Sequence, residues 1–276
     1  MLTFELVTYR YAGAARPSLQ DVSLVIGSGE VVGLVGASEA GKTTLCLVAA
    51  GLAPRTVRGT LKGRILIDGT DVAPLTIHEL AGQVGIAFAN PATQLSGVAG
   101  TVYEEVAFGP MNLGFSRSEV IDRTEAALGA LKISDLAERE PALLSGGQQQ
   151  LVAMSGLLAL RPAHLVLDEP TAQLDPAGTR LVAEALARLA LDGASILVAE
   201  QKTDLLASIC DRVVALDAGR VALDGPAFEV LGDARLAELG VAAPASVRLR
   251  SLAGAAGPGP EALAHLDGAL AMEATA

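Results

Sequence analysis

The segment that most constrains the fold is GASEAGKTT at residues 36–44, which has the spacing G-x-x-x-x-G-K-[ST]. The apolar run GEVVGLVG leads into it, and KTTLCLVAAGL follows with the composition of a helix. In a strand, loop and helix of this order, backbone N–H groups and the positive end of the helix hold phosphates. We therefore predict a phosphate-binding loop in which Lys42 reaches the outer phosphates and the Thr43 hydroxyl binds Mg²⁺.

The same loop carries an acidic side chain, Glu39, where a triphosphate would lie. A carboxylate about 4 Å from one phosphate charge is repelled by about 1 kcal/mol in water and by about 4 kcal/mol at an effective dielectric constant of about 20. A glycine here would also accept a backbone angle that glutamate resists. We expect nucleotide binding to be weakened rather than abolished. The predicted nucleotide-binding residues of the loop are Gly36, Ala37, Ser38, Glu39, Ala40, Gly41, Lys42, Thr43 and Thr44.

A second motif, HLVLDEPT, is expected to complete the metal site. Its apolar run ends in Asp168 and Glu169, so both carboxylates would emerge at the carboxyl edge of a sheet, beside the phosphate loop. Asp168 is placed to hold Mg²⁺, and Glu169 to orient or polarise an attacking water. An Asp-Glu pair after a strand is by itself most often a solvated turn, and its pairing with the phosphate loop is what favours catalysis.

The alternation of strand and helix patterns indicates the fold class. Strand patterns occur in LTFELVTY, DVSLVI, GEVVGLVG, GRILIDG, QVGIAFA, AHLVLDE, ASILVAE and DRVVALDAG. Residues from about 97 to about 160 have a helical pattern instead. Together these predict a parallel α/β sheet with a helical insertion. From about residue 226 the chain becomes rich in Ala, Gly and Pro, which predicts a short helical appendage with a flexible joint at AGAAGPGPEA.

Charge and hydropathy exclude several classes of function. The formal net charge of −11 argues against non-specific binding to nucleic acid or to anionic lipid. No apolar run approaches the roughly 18 to 20 residues that a membrane span needs, and the N-terminus lacks the pattern of a secretory signal. We expect a soluble chain whose membrane attachment comes through a protein partner.

A third motif, LLSGGQQQ at residues 143–150, precedes a helical segment. The Ser145 hydroxyl and the N–H groups of Gly146 and Gly147 could meet a phosphate at the helix N-terminus, although a serine cap and a turn would be the simpler interpretation. Together with GASEAGKTT, LVLDEPTAQLDP and the later strand ILVAEQ, in this order, the motif resembles the ATP-binding subunit of ABC transporters.

Longer stretches narrow this resemblance. FANPATQLSGVAGTVYEEVAFGPMNLG and LSGGQQQLVAMSGLLALRPAHLVLDEPTAQLDPAG are similar to the A components of energy-coupling factor (ECF) importers of vitamins and metal ions, and LGDARLAELGVAAPASVRL is similar to their C-terminal extension. The resemblance implies a P-loop NTPase with a RecA-like core and an antiparallel β subdomain. It places an ATPase domain at residues 1–225, with the helical subdomain at about 97–160, and a partly flexible C-terminal extension at 226–276.

The resemblance also implies partners and further site residues. In the family, two ATPase subunits form a head-to-tail dimer with ATP and Mg²⁺ between them. Tyr11 is implied to stack on adenine, with an edge-strand aromatic in the core as its alternative, and Asp175 belongs to the D-loop. Signature residues acting on the partner's ATP would be Ser145, Gly146, Gly147 and Gln148. A transmembrane coupling subunit and a solute-binding membrane subunit would hold the chain at the cytoplasmic face of the membrane, and no nucleic acid is implied.

Three departures from the family pattern fall on one nucleotide site. Ala89 replaces the glutamine that senses Mg²⁺ and the γ-phosphate, and Gln201 replaces the switch histidine. In the phosphate loop, Ser38-Glu39-Ala40 replaces the usual Asn-Gly-Ser. Loss of one preorganised group at a transition state costs about 100- to 1000-fold in rate, and such losses need not multiply because the groups act as a unit.

These patterns leave several functions to compare. The leading hypothesis is the energy-coupling ATPase subunit of an importer, with Glu169 and Gln201 catalytic, a slow site of its own and an active site completed on a second ATPase. A homodimer in which Gln201 substitutes for histidine is the rival. A regulatory or structural subunit that binds nucleotide without hydrolysis is the alternative function. A soluble ABC ATPase of translation or DNA repair is disfavoured, because the chain has neither a charged linker nor a coiled-coil insertion. The solute stays open among cobalt, nickel, biotin, thiamine precursors and other vitamins.

Overall fold

The structure, a computed structural model, describes residues 1–249 of the chain. Its strands are β1 (Leu2–Tyr11), β2 (Leu19–Ile26), β3 (Val31–Val35), β4 (Gly59–Ile67), β5 (Thr70–Asp71), β6 (Val84–Ala87), β7 (His164–Asp168), β8 (Ser195–Ala199), β9 (Arg212–Asp217) and β10 (Arg220–Pro226). Its helices are α1 (Lys42–Ala49), α2 (Leu52–Arg55), α3 (Ile77–Ala81), α4 (Val102–Asn112), α5 (Arg117–Ala130), α6 (Gly146–Leu160), α7 (Pro176–Leu191), α8 (Thr203–Ile209), α9 (Ala227–Gly232) and α10 (Arg235–Glu238).

The larger sheet has six strands in the order β10-β9-β3-β8-β7-β6. Five of them are parallel, and β10 pairs antiparallel with β9 at one edge. Every residue of β3, β7 and β8 is buried, since both faces of this sheet are covered, and this explains why their sequences are nearly continuous apolar runs. The predicted parallel α/β sheet is confirmed.

A second sheet, with strands in the order β2-β1-β4-β5, is antiparallel throughout. Buried and exposed positions alternate along β2, as expected when one face of a sheet packs on a core. Phe4 and Tyr9 from this sheet pack with Leu34 of β3 and Leu45 of α1 in one hydrophobic core. This core supports the segment between β3 and α1 from one side.

The helices α4, α5 and α6 cover the opposite face of the larger sheet. Each begins with a capping box, at Thr101, Ser116 and Ser145 respectively. In each box the N-cap side chain and the N3 side chain accept each other's backbone N–H groups, which satisfies two donors that a helix start would otherwise leave free. Val106 and Leu128 from these helices pack with strand residues in the second hydrophobic core.

The predicted domain limits of 1–225, about 97–160 and 226–276 stay predictions. Strand β10 has no counterpart in the predicted strands, and it ends at Pro226, beside the predicted boundary. Helices α9 and α10 and a helical run at residues 245–249 follow it. The predicted joint AGAAGPGPEA lies outside the described residues. Within residues 1–249, no helix combines the length and the apolar character that crossing a bilayer requires.

Candidate functional site

A cavity of about 780 Å³ lies where the chain leaves the carboxyl ends of β3, β7 and β8, and we call it the loop cavity. Parallel α/β sheets bind ligands at this edge. Of the predicted site residues, its walls contain Tyr11, Ser38, Glu39, Gly41, Lys42, Thr43, Thr44, Glu169 and Gln201. The structure therefore brings three separate sequence motifs to one cavity.

The phosphate loop closes around the ammonium of Lys42. Lys42 is only 8% exposed, and its Nζ donates hydrogen bonds to the carbonyl oxygens of Gly36 at 2.7 Å and Ala37 at 2.9 Å. An ammonium has three protons, so one donor is left for a ligand in the loop cavity. Gly41 has φ of +108°, and a Cβ there would lie 2.7 Å from the Ser18 carbonyl oxygen. The loop thus requires glycine at this position for two reasons.

Glu39 occupies a strained position in this loop. Its φ is +65°, in the left-handed region, where an L-residue other than glycine is disfavoured by about 1 to 2 kcal/mol. The side chain is exposed and lies on the wall of the loop cavity. The expected conflict between glutamate and the backbone angle is therefore present. Ala40, the next residue, points into the core instead and is buried.

Two oxygen donors lie where a metal ion could bridge the loop and the sheet. Asp168 is buried at the end of β7, and burial raises the pKa of its carboxyl above its usual value, while a hydrogen bond from Thr43 acts in the opposite direction. Mg²⁺ is usually bound through one or two carboxylates together with substrate phosphates and waters. A hydroxyl and a carboxylate in contact beside a phosphate loop fit that donor set.

Glu169 and Gln201 form a direct pair at the cavity. The Gln201 Nε2 donates a hydrogen bond to Glu169 Oε1 at 2.6 Å. The backbone N–H of Glu169 is bonded to the Ala199 carbonyl at 2.8 Å, and its φ is +53°, so the backbone turns its side chain towards the cavity. The side-chain amide of Gln201 therefore contacts the Glu169 carboxylate directly at the cavity.

The Ala89 segment follows β6 and is held without contribution from its own side chain. Gln94 accepts from the Phe88 N–H at 3.1 Å and donates to the Phe88 carbonyl at 3.0 Å. The buried Gln150 of α6 donates to the Pro170 carbonyl at 2.9 Å. A methyl group at position 89 offers no metal ligand, and none of these amides lies on the loop cavity wall.

The signature residues lie away from the loop cavity. Ser145 and Gln148 bond each other's backbone N–H groups in the capping box of α6. The N–H groups of Gly146 and Gly147 in the first turn have no hydrogen-bond acceptor among the described residues, and they stand at the positive end of a 15-residue helix. These groups could serve a phosphate that another molecule brings.

Asp175 caps the start of α7. Its Oδ1 accepts a hydrogen bond from the Gly178 N–H at 2.7 Å, and the residue is exposed outside the loop cavity. Like the signature residues, it is therefore not brought to the cavity of its own chain.

Tyr11 is half-buried, lies on the cavity wall and also packs against the hydrophobic core that contains Phe4 and Leu34. Its hydroxyl is 3.0 Å from Thr44 Oγ1, and its ring meets that of Tyr9 edge-on, with centroids 5.0 Å apart. Tyr9 is the fully buried member of the pair. Tyr11 is therefore at the cavity, and stacking of its ring on adenine stays a prediction.

The protein-family model described as ABC transporter matches residues 19–172, more than half of the chain. The chain belongs to the ABC transporter family. It is an ATP-binding subunit of this family of ATPases, with a fold confirmed by solved ATP-binding cassettes.

Relatives of this ABC subunit include importers. The cobalt import ATP-binding protein CbiO of Rhodobacter capsulatus is 39% identical over 255 residues, covering 90% of this chain and 87% of CbiO. An ABC-family protein of Methanosarcina mazei is 39% identical over 257 residues, but the chain spans only 43% of its length. The predicted relation to ECF importers is thereby confirmed at the level of the family.

Two solved structures have a fold similar to that of this chain. CbiO1 of Clostridium perfringens, part of the ABC transporter complex cbiONQ, has a TM-score of 0.73 and 31% identity, covering 86% of this chain and 92% of that one. The ATP-binding cassette MJ0796, a dimer in a post-hydrolysis state bound to ADP and Pi, has a TM-score of 0.72 and 27% identity, covering 82% and 99%.

Sequence reasoning missed part of the cavity of this ABC subunit. Its wall also contains Arg16, Pro17, Ser18, Gln20 and Ala218. The first four lie between β1 and β2 or at the start of β2, and Ala218 is in the turn between β9 and β10. The DAG turn before RVALDG could have predicted the hairpin, but no signal in the sequence places these segments at the cavity.

Proposed function

We propose that this chain is the energy-coupling subunit of an ECF-type importer, which uses ATP to drive uptake of a vitamin or a metal ion through separate membrane partners. The observation that carries the proposal is the convergence of Lys42, Thr43 and Glu169 on one cavity, with the buried Asp168 hydrogen-bonded to Thr43 behind its wall, in a chain of this family. The similarity to CbiO of Rhodobacter capsulatus and to cbiO1 of the cbiONQ complex supports an importer.

In this proposal the residues of the loop cavity divide the work on ATP. The free proton of Lys42 Nζ and the first N–H groups of α1 bind the outer phosphates, and Tyr11 stacks on adenine. Thr43 and Asp168 would hold Mg²⁺, which neutralises charge that develops on the phosphates. Glu169 orients the attacking water.

Gln201 takes the place of the switch histidine in holding Glu169. An imidazole exchanges protons near neutral pH, whereas an amide donates its N–H at every pH at which the protein is folded. The 2.6 Å bond from Gln201 to Glu169 supports this role. Gln201 can therefore orient the carboxylate but cannot carry a proton.

The proposed pairing is an asymmetric heterodimer. Glu39 places a carboxylate and a strained backbone in the site for this chain's own ATP, and Ala89 supplies no ligand there. The free N–H groups of Gly146 and Gly147, together with Asp175, are presented to a second ATPase subunit. This chain would thus hold a slow site and complete a faster one on its partner.

The membrane context follows from the partners. A transmembrane coupling subunit would meet the groove that the family resemblance implies between the core and the helical insertion, beside the Ala89 segment and α4, and a solute-binding membrane subunit would choose the vitamin or metal ion. Both would hold the chain peripherally at the cytoplasmic face of the membrane. Motion of the ATPase pair would pass to the membrane through that groove.

A regulatory subunit that binds ATP without turnover is the second candidate. Two observations favour it, namely the positive φ of Glu39 and the absence of a polar side chain at Ala89. The regulatory subunit differs from the energy-coupling subunit in one observable respect. ATP would bind to the loop cavity and stay intact with every partner present.

The experiment is to purify the tagged full-length chain from its native membrane in mild detergent, with a Lys42→Met variant as the control for ATP binding. The proposal expects a second ATPase and membrane proteins to copurify, and expects the preparation to hydrolyse ATP. A preparation that contains those proteins and binds ATP without hydrolysis would favour the regulatory function. A chain that copurifies with soluble translation or repair factors would refute both.

A further inference from the structure

A buried carboxylate lies directly before the switch position. Glu200 is 2% exposed and follows β8, one residue before Gln201. Its Oε2 accepts from the Thr171 hydroxyl at 2.6 Å, and its Oε1 accepts from the backbone N–H groups of Gln201 at 2.9 Å and Lys202 at 3.3 Å. Three donors satisfy the charge, as a buried carboxylate requires.

Lys202, the residue after the switch position, also bonds to the turn that contains Thr171. Lys202 Nζ donates to the Thr171 carbonyl at 2.6 Å and to the Leu174 carbonyl at 3.3 Å. We call residues 200–202 the switch segment and residues 171–175 the D-loop turn. The side chains on both sides of Gln201 therefore fasten the switch segment to the D-loop turn.

The switch segment contacts the loop cavity, whereas the D-loop turn joined to it ends at an exposed residue outside that cavity. At one end, Gln201 lies on the wall of the loop cavity and donates to Glu169. At the other end, Leu174 is buried and anchors the turn, while Asp175 is exposed at the start of α7. Neither Glu200 nor Lys202 lies on the cavity wall, so neither has a reason to contact nucleotide.

We propose that Glu200 and Lys202 are positioning residues that form a clamp, which transmits nucleotide binding in the loop cavity to the D-loop turn. Packed or bonded elements that have two arrangements carry coupling between sites, and here the bonds join two backbone turns directly. The inference rests on the proposed function for one step, in which Asp175 acts on the site of the second ATPase. Through the clamp, the weak site of this chain would regulate the faster site of its partner.

Lys202 is the residue to change, because its ammonium alone makes two of the bonds. Lys202→Met keeps the length of the side chain and removes both donors. Lys202→Arg keeps the charge and can donate to two carbonyls. Lys62→Met is the matched control, since Lys62 is an exposed lysine of β4 with no side-chain hydrogen bond among the described residues.

The test uses the full chain with a trifluoromethyl label on Ala172→Cys, an exposed position in the D-loop turn. The probe is adenylyl imidodiphosphate with Mg²⁺, followed by fluorine NMR, and its affinity is measured by calorimetry. We expect the label to shift on nucleotide binding in the parent chain, in Lys202→Arg and in Lys62→Met. In Lys202→Met we expect the shift to be lost while affinity is retained, a split that general loss of structure would not produce.

In the intact complex, the same variant should lower kcat of the partner site by about fivefold or more, the lower end of usual allosteric coupling, with KM unchanged. Should Lys202→Met fail to fold, Thr171→Val removes the hydroxyl bond to Glu200 and carries the test. A label that shifts fully in Lys202→Met, or that never shifts in a parent chain with bound nucleotide, overturns the clamp and leaves the proposed function intact. A parent chain that binds no nucleotide refutes the proposed function and the clamp with it.

Discussion

Replacement of Glu39 tests the weak site most simply, because charge and backbone strain can be separated at this position. Glu39→Gln removes the charge and keeps the side-chain size and the strained φ of +65°. Glu39→Gly removes both. Glu184→Gln, on the exposed face of α7, is the control for a change of one charge outside the cavity.

The magnitude follows from the exposure of the side chain. A unit charge about 4 Å from one phosphate charge costs about 1 kcal/mol in water and about 4 kcal/mol at an effective dielectric constant of about 20. Since Glu39 is exposed, the value in water applies, and it corresponds to about fivefold in affinity. The gain should shrink in about 1 M salt, where the screening length falls to about 3 Å.

The backbone contribution appears in the stability of the free protein. Glycine relieves about 1 to 2 kcal/mol of left-handed strain in the folded protein. Its greater conformational freedom in the unfolded chain destabilises the folded protein by about 0.5 to 1 kcal/mol. We expect Glu39→Gly to raise the free energy of unfolding by up to about 1.5 kcal/mol, and Glu39→Gln to leave it unchanged.

Calorimetry with Mg²⁺ and ATP at low and high salt measures the change in ATP affinity. Urea unfolding without nucleotide measures the change in the free energy of unfolding. Equal ATP affinity of the parent chain and Glu39→Gln at low salt would refute the electrostatic argument. A lower free energy of unfolding for Glu39→Gly would refute the strain argument.

Four further predictions concern other residues. Gln201→His should add a pH-dependent limb between about pH 6 and 7 to the ATPase activity of the complex, and an unchanged pH profile would contradict the role of the amide. Ala89→Gln should raise the turnover of this chain's own site by about tenfold or more, measured with the partner's glutamate inactivated; no increase would contradict it. Asp168→Asn should weaken the dependence of ATP affinity on Mg²⁺, because it removes the charged one of the two protein ligands, and an undiminished dependence would contradict the assignment. In the parent chain the Mg²⁺ dependence should weaken on acidification at a higher pH than an ordinary carboxyl would give, because burial raises the pKa of Asp168. Burial lowers the pKa of His164 below its ordinary value of 6.5, although the hydrogen bond to Asp68 acts in the opposite direction. The unfolded chain therefore binds the proton more tightly, and stability is lost as pH falls from about 6.5 through the folded pKa. His164→Gln should reduce that loss in urea unfolding at several pH values, and an unaltered dependence of stability on pH would contradict this prediction.

The sequence predicted those parts of the site that lie within one motif. Lys42 and Thr43 follow the loop directly, and Asp168 and Glu169 end a buried strand, so local order decides their positions. The conflict at Glu39 was also predictable, because the family has glycine there. Arg16 and Lys202 were not predictable, since their places depend on the packing of β1 and β2 over the loop and on bonds across two turns.

In the fold, too, local sequence predicted some strands, while long-range pairing determined another. Strands buried on both faces, such as β3 and β7, have nearly continuous apolar sequences that predict a parallel sheet. Strand β10 has exposed and half-buried positions with a single buried residue, and only its hairpin with β9 makes it a strand. Long-range pairing therefore decided what local pattern could not.

In the proposed heterodimer, this chain completes an active site on a second ATPase while its own site is slow. The ATPase rate of the copurified complex separates the two sites when it is measured with Glu169→Gln in this chain and, in a second preparation, with the corresponding glutamate of the partner ATPase changed. We predict that Glu169→Gln leaves most of the turnover and that the change in the partner abolishes it. Turnover by the isolated chain at an ordinary enzyme rate, about 1 s⁻¹ or more, that is abolished by Glu169→Gln would refute the asymmetric heterodimer.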